Sequence, residues 1–134
     1  MKIKWLLSFE TGVASIDNDH RTLVEVIQKI ENALTVGDLK ICSGLFSEFM
    51  KLAADHFDRE ENMLRTIDFP RVESHRAAHK RLLDMGTETL KKVDSGLDQD
   101  GTAKCLEEMI YFLLEDVIKV DAEFKSYAQE KGLI

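Results

Sequence analysis

Residues 56–83 read HFDREENMLRTIDFPRVESHRAAHKRLL, and the break at Asp68-Phe69-Pro70 in the middle of this run sets the architecture. Upstream, Leu45, Phe46, Phe49, Leu52, Ala53 and Phe57 recur at helical intervals and share one stripe. That spacing predicts a helix from Leu39 to about Arg65. Proline suits the first turn of a helix, where its missing N–H has no partner to lose. Pro70 is therefore expected to open a further helix to about Val93, carrying Leu82, Leu83, Met85 and Leu90. Two long amphipathic helices joined by so short a break must run antiparallel.

The same pattern extends in both directions. Toward the N-terminus, Leu23, Val26, Ile27, Ile30, Ala33 and Leu34 form one stripe between about Ile16 and Val36, and Gly37-Asp38 ends it. Toward the C-terminus, the polar stretch DSGLDQDG (94–101) reads as a loop. A fourth helix is expected from about Thr102 to Glu130, with Gly132 as its stop. The expected fold is all-α: an up-down-up-down antiparallel four-helix bundle, one domain over residues 1–134, preceded by an arm anchored by Trp5.

Composition narrows the function. The chain has 134 residues, 44% hydrophobic and 32% charged, which suits one globular domain rather than a disordered chain. Its formal charge of −7 argues against nucleic-acid binding and against a polybasic membrane contact. No signal peptide or membrane-spanning run is visible, so a cytoplasmic location is expected. Cys42 and Cys105 match no paired spacing and read as free thiols packed in helices. The oligomeric state stays open, a monomer included.

The four histidines are not scattered. His20 begins the first helix, His56 lies late in the second, and His75 and His79 lie early in the third. In an up-down bundle these positions are level, so all four gather at one end. His75 and His79 are four residues apart and project from one face; His56 and Glu60 have the same spacing. The fourth helix has no histidine but brings Glu115, Asp116 and Asp121, the last flanked by Val120 and Ala122. A carboxylate on an apolar stripe needs a partner, and a cation supplies one. Imidazole with carboxylate suits Fe, Zn or Mn rather than Mg or Ca. Four histidines with Glu60 and Asp121 are too many for one tetrahedral zinc and fit two octahedral metals sharing carboxylates. The cysteines match no iron–sulfur pattern.

Three stretches carry a resemblance: GVASIDNDHRTLVEVI (12–27), the quoted run 56–83, and FLLEDVIKVDAEF (112–124). Within 56–83 the specific elements are H-F-x-x-E-E, then F-P, then H-x-x-x-H. The chain resembles the hemerythrin family, in particular the single-domain bacterial type, the bacteriohemerythrins. The resemblance implies a bundle holding two non-haem Fe ions (Fe2+/Fe3+) with a bridging oxo or hydroxo group, which binds O2 reversibly. Carried over by motif, the ligands are His20, His56, Glu60, His75, His79 and Asp121, with Glu60 and Asp121 bridging. His56, His75 and His79 are expected on one iron and His20 on the other, the one open to O2.

One position departs from the family. The fourth helix of hemerythrins carries H-x-x-x-x-D, and the residue five before Asp121 here is Asp116; a tryptophan common one turn earlier in the family is Phe112 here. Asp116 either binds the metal or stops short and leaves room for water, with Glu115 a further substitute. Two Fe(II), Glu60, Asp121 and a hydroxide leave a net charge of +1, which Asp116 as a ligand brings to zero, favouring Fe(III). Faster autoxidation and weaker reversible O2 binding are then expected. The O2 pocket should be apolar, to keep protons out, and its candidate lining is Leu23, Ile27, Phe112, Leu113 and Val117. The expected function is O2 binding, storage, transport or sensing, rather than catalysis. The alternative is a di-iron oxidase or peroxidase, although the paired E-x-x-H motif of ferritin-like oxidases is absent and Asp17-x-x-His20 is its nearest form.

Overall fold

The computed structural model describes residues 9–132. Its helices are α1 (Ala14–Thr35), α2 (Leu39–Thr66), α3 (Val72–Asp94), α4 (Gln99–Leu114) and α5 (Asp121–Glu130), with a π-helical segment (Glu115–Val120) between the last two. α1 packs on α2, α2 on α3, α3 on α4, and α4 returns to α1. The connections at 36–38, 67–71 and 95–98 are too short for anything but antiparallel neighbours, so the bundle is up-down-up-down. Trp5 lies outside the described residues. No described helix is long and apolar enough to cross a membrane.

Each turn has a local cause. α1 ends with Gly37 at φ 77°, and the Gly37 and Asp38 amides return to the Leu34 and Ala33 carbonyls. Asp38 then caps α2 by accepting the Ile41 N–H at 3.2 Å. α2 ends in the same six-to-one pattern, with the Phe69 amide on the Leu64 carbonyl at 2.9 Å and Asp68, at φ 56°, in the left-handed position usually given to glycine. Phe69 and Leu64 pack together, completing the motif. Pro70 therefore follows the end of α2 rather than opening α3, which starts two residues later at Val72. α4 starts earlier than the loop composition implies, at Gln99, because Asp98 caps it through the Gly101 N–H at 2.8 Å.

The segment before α1 is tied down by one carboxylate. Asp17 accepts the Thr11 N–H at 2.7 Å, the Thr11 hydroxyl at 2.9 Å and the Gly12 N–H at 3.2 Å. Asp17 is thereby committed to the arm and takes no part in an E-x-x-H-like site.

The interior holds two apolar clusters. The larger contains Leu23, Ile27, Ile30, Phe46, Phe49, Phe57, Met109, Phe112 and Leu113; the smaller contains Ile16, Leu64, Phe69, Phe124 and Ala128. Each fully buried Leu or Phe contributes about 1.5–3 kcal/mol. Cys42 and Cys105 are buried free thiols, as their isolated spacing implied. The layer between the clusters is polar.

Candidate metal centre

Every helix delivers its polar residue between one member of each cluster. On α1 the order is Ile16, His20, Leu23; on α2 it is Phe57, Glu60, Leu64, with His56 beside Phe57. On α3, His75 and His79 precede Leu82, and along the fourth rod Asp116 and Asp121 fall between Leu113 and Phe124. Four histidines, Glu60, Asp116 and Asp121 are all 2% exposed or less.

The donor atoms form two groups that share two carboxylates. His20, His56, Glu60 and Asp121 are one; His75, His79, Glu60 and Asp121 are the other. Glu60 turns Oε2 to His56 Nε2 at 3.0 Å, and Oε1 to His75 Nε2 in very close contact and to His79 Nε2 at 3.5 Å. Asp121 turns Oδ2 to His20 Nε2 at 2.8 Å and Oδ1 to His75 Nε2 at 3.2 Å. Adjacent donors ~2.1 Å from one metal lie roughly 3 Å apart, so this spacing is that of donors on a common cation. His20 Nε2, His56 Nε2, His79 Nε2, Glu60 Oε2 and both oxygens of Asp116 and of Asp121 are buried without a hydrogen-bond partner. So many orphaned buried polar atoms at one point are costly unless a cation satisfies them.

Asp116 reaches this layer through the π segment. Five residues along a regular α-helix are about 140° apart, which would turn Asp116 and Asp121 to different faces. The wider π turn, closed by i→i+5 hydrogen bonds, brings residues five apart back onto one face. Asp116 Oδ1 lies 3.4 Å from His79 Nε2, and Oδ2 lies 3.8 Å from His56 Nε2 and 4.0 Å from His20 Nε2.

Comparison with known proteins places the chain in a family. The family model described as "Hemerythrin HHE cation binding domain" matches residues 11–124. The chain belongs to the hemerythrin family. It is 28% identical to a bacteriohemerythrin of Clostridium acetobutylicum over 90% of this chain and 96% of that protein. It is 25% identical to a myohemerythrin of Theromyzon tessulatum (80% and 81% covered) and 23% identical to a bacteriohemerythrin of Methylococcus capsulatus (70% and 74% covered).

In this member of the hemerythrin family the outward ring nitrogens of the layer are also held. His56 Nδ1 pairs with Asp19 Oδ2 at 2.9 Å, and Arg59 grips the same carboxylate at 2.8 and 3.2 Å. His79 Nδ1 pairs with Glu61 Oε2 at 3.0 Å, with Arg76 3.6 Å from the other Glu61 oxygen. His20 Nδ1 lies 3.4 Å from the Phe9 carbonyl. Such partners fix the tautomer and leave Nε2 as the free donor. Phe57 stacks on His79, with ring centroids 3.9 Å apart and planes 6° from parallel. Phe57 and Glu61 fall within the H-F-x-x-E-E element, which gave them no role, and Asp19 was not singled out. The signal for their roles is adjacency: each neighbours a ligand candidate in sequence, about 100° around the helix, where it meets the next helix.

Without a cation, protons are drawn into the layer. Burial opposes an imidazolium at His56, but Asp19, Glu60 and Asp116 outweigh it and raise its pKa to about 10. The same balance, won by Asp116 and Glu60, raises His79 to about 11; won by Asp121 and Glu60, it raises His75 to about 9. Burial opposes the charge of Glu60, yet the imidazoles of His56, His75 and His79 facing it hold its carboxyl well below the usual range. Burial, reinforced by the charges of Asp116 and Glu60, lifts Asp121 to about 7.

The expected histidine grouping needs correction. His56 stands with His20, not with His75 and His79. α1 and α2 supply one pair and α3 alone supplies the other, because the i,i+4 spacing keeps His75 and His79 together. Leu23, Ile27, Phe112 and Leu113 are all buried in the larger cluster; the Val117 side chain lies outside the described residues. Glu115 lines a cavity of about 280 Å³ with Arg81, Met85 and Tyr111, outside the two donor groups. A cavity of about 790 Å³ between α3 and α4, lined by Met85, Thr89, Lys92 and Glu108, is also lined by none of the ligand candidates.

Proposed function

We propose that this chain is a single-domain, cytoplasmic non-haem di-iron protein that binds O2 for storage, transport or sensing. The observation that carries the proposal is the pair of buried donor groups sharing Glu60 and Asp121. His20 and His56 would hold one iron, His75 and His79 the other, and Glu60 and Asp121 would bridge them. Bound iron supplies reversible electron donation to O2. The chain supplies the rest. Asp19 and Glu61 orient His56 and His79 through Nδ1, Phe57 fixes the plane of the His79 ring, and the two apolar clusters keep water out. Metal analysis with a visible spectrum of aerobically purified protein tests this. Two irons per chain with the bands of a bridged diferric pair are expected; a single zinc would overturn it.

A second reading rests on Asp116, whose two oxygens lie buried and unpartnered against three of the four imidazoles. Extra negative charge beside the metals stabilises the ferric state, which shifts the protein toward oxidase-type chemistry and away from reversible binding. Mixing the diferrous protein with O2 separates the readings. An O2 adduct in the unaltered chain as long-lived as in Asp116→His removes the second.

A further inference from the structure

We infer that Asp116 is a third bridging carboxylate, shared by both cation positions, rather than a terminal substitute for one histidine. The inference rests on the di-metal reading above and goes beyond its two bridges.

The argument is a pattern repeated three times. Glu60 sends one oxygen to His56 and the other to His75 and His79. Asp121 sends one oxygen to His20 and the other to His75. Asp116 sends Oδ2 toward His56 and His20, at 3.8 and 4.0 Å, and Oδ1 toward His79 at 3.4 Å. Each carboxylate divides its oxygens between the same two pairs. A terminal ligand would offer one histidine pair an oxygen and turn the other oxygen to a hydrogen-bond donor. Neither Asp116 oxygen has such a donor, and the side chain is 1% exposed. An imidazole at this position has one lone pair available once its other nitrogen is protonated, so it can serve only one metal. Asp can serve two. The π segment aims this residue at the middle of the layer, where both oxygens find use.

Counting donors gives the consequence. With three bridges, each ion receives two imidazole nitrogens and three carboxylate oxygens, the same set on both sides. Five donors leave one position per octahedral ion. Three carboxylates against two divalent ions leave a net +1 without any hydroxide. The centre is therefore symmetric in ligand type.

The test uses the full chain and reads metals, not O2 chemistry. Anaerobic protein loaded with two 57Fe(II) should give one Mössbauer quadrupole doublet, whereas Asp116→His, which places an extra imidazole on one ion only, should give two of equal area. In chelator competition, Asp116→Asn, which keeps the shape, should weaken both Fe(II) binding steps by at least about 10-fold. Asp116→His should restore one step and not the other. Two doublets in the unaltered chain, or an Asp116→Asn variant that weakens one step or neither, overturns the bridge while leaving two-iron binding intact. Failure of the unaltered chain to take up two irons overturns the di-iron reading, and the bridge with it.

Discussion

The α2–α3 hairpin furnishes His56, Glu60, His75 and His79 to the layer and the α4–π–α5 rod furnishes Asp116 and Asp121, by different means. In the hairpin, His56 with Glu60 and His75 with His79 stand four apart, so a straight α-helix aligns each pair without further help. The hairpin turn is closed by its own backbone hydrogen bonds and by Phe69 on Leu64. In the rod, Asp116 and Asp121 stand five apart and share a face only while six residues hold a π turn. π segments are rare, appear mostly at functional sites, and give up α-helical hydrogen-bond geometry. One half of the layer is thus set by local geometry, and the other is held by packing and by whatever cation the layer binds.

Several changes break or sharpen this contrast. The largest effect is expected from Glu60→Ala, which removes the carboxylate shared by both donor groups; metal analysis should fall from two ions per chain toward none. Removing metal with a chelator comes next. Amide exchange across Glu115–Asp121 should accelerate at least ~10-fold, while the centre of α2 changes little; uniform acceleration of both would erase the distinction. The metal-stripped chain should also respond to alkali. His75, His56 and His79, raised above their unfolded value near 6.5 to about 9, 10 and 11, contribute stability that is complete below pH 6.5. That stability is lost as pH rises through about 9 to 11, so thermal unfolding of the stripped chain should shift downward there and that of the loaded chain should not. By the same protons, metal affinity should weaken as pH falls.

Smaller effects probe the supports. Asp19→Asn and Glu61→Gln should each weaken metal affinity by about 10-fold, measured by competition with a chelator. The smallest effect is expected from deleting Lys119. Loss of one residue turns a π turn into an α turn, placing the two aspartates four apart as in the hairpin, so metal uptake should survive. Deleting Asp58, between His56 and Glu60, should abolish uptake. If both deletions abolish it, the rod is as rigidly specified as the hairpin.

The parts that could be read from the residues were those governed by regular α geometry. The apolar stripes located all four rods, and the level of the histidines located the layer, because 3.6-residue periodicity is written directly in spacing. The π segment was not legible, since an i,i+5 pair reads as two different faces on an α-helix. Pro70 reads as opening α3, but proline suits the residues after a helix as well as the first turn of the next, and the Asp68 φ decides for the former. The pairing of His56 with His20 depends on how far α1 and α2 rotate toward each other, which no single helix records. Asp19 and Glu61 reach ligands on other helices, so their own segments do not show which imidazole each one holds.

The polar layer lies between two apolar clusters, with one of its members bounded on each rod by greasy neighbours above and below. That arrangement makes the layer a key for sliding register. If any rod moved one turn along its neighbours, a ligand would be driven into the Phe46–Phe57 region or the Leu64–Phe124 region, and a bare hydrocarbon would be set against Glu60 or Asp121. Both mismatches strand a buried charge, at a cost of several kcal/mol. A coiled coil fixes its alignment with a single polar residue in the seam, and this bundle does so with seven. The residues placed to hold a cation therefore also oppose a sliding of the helices around it.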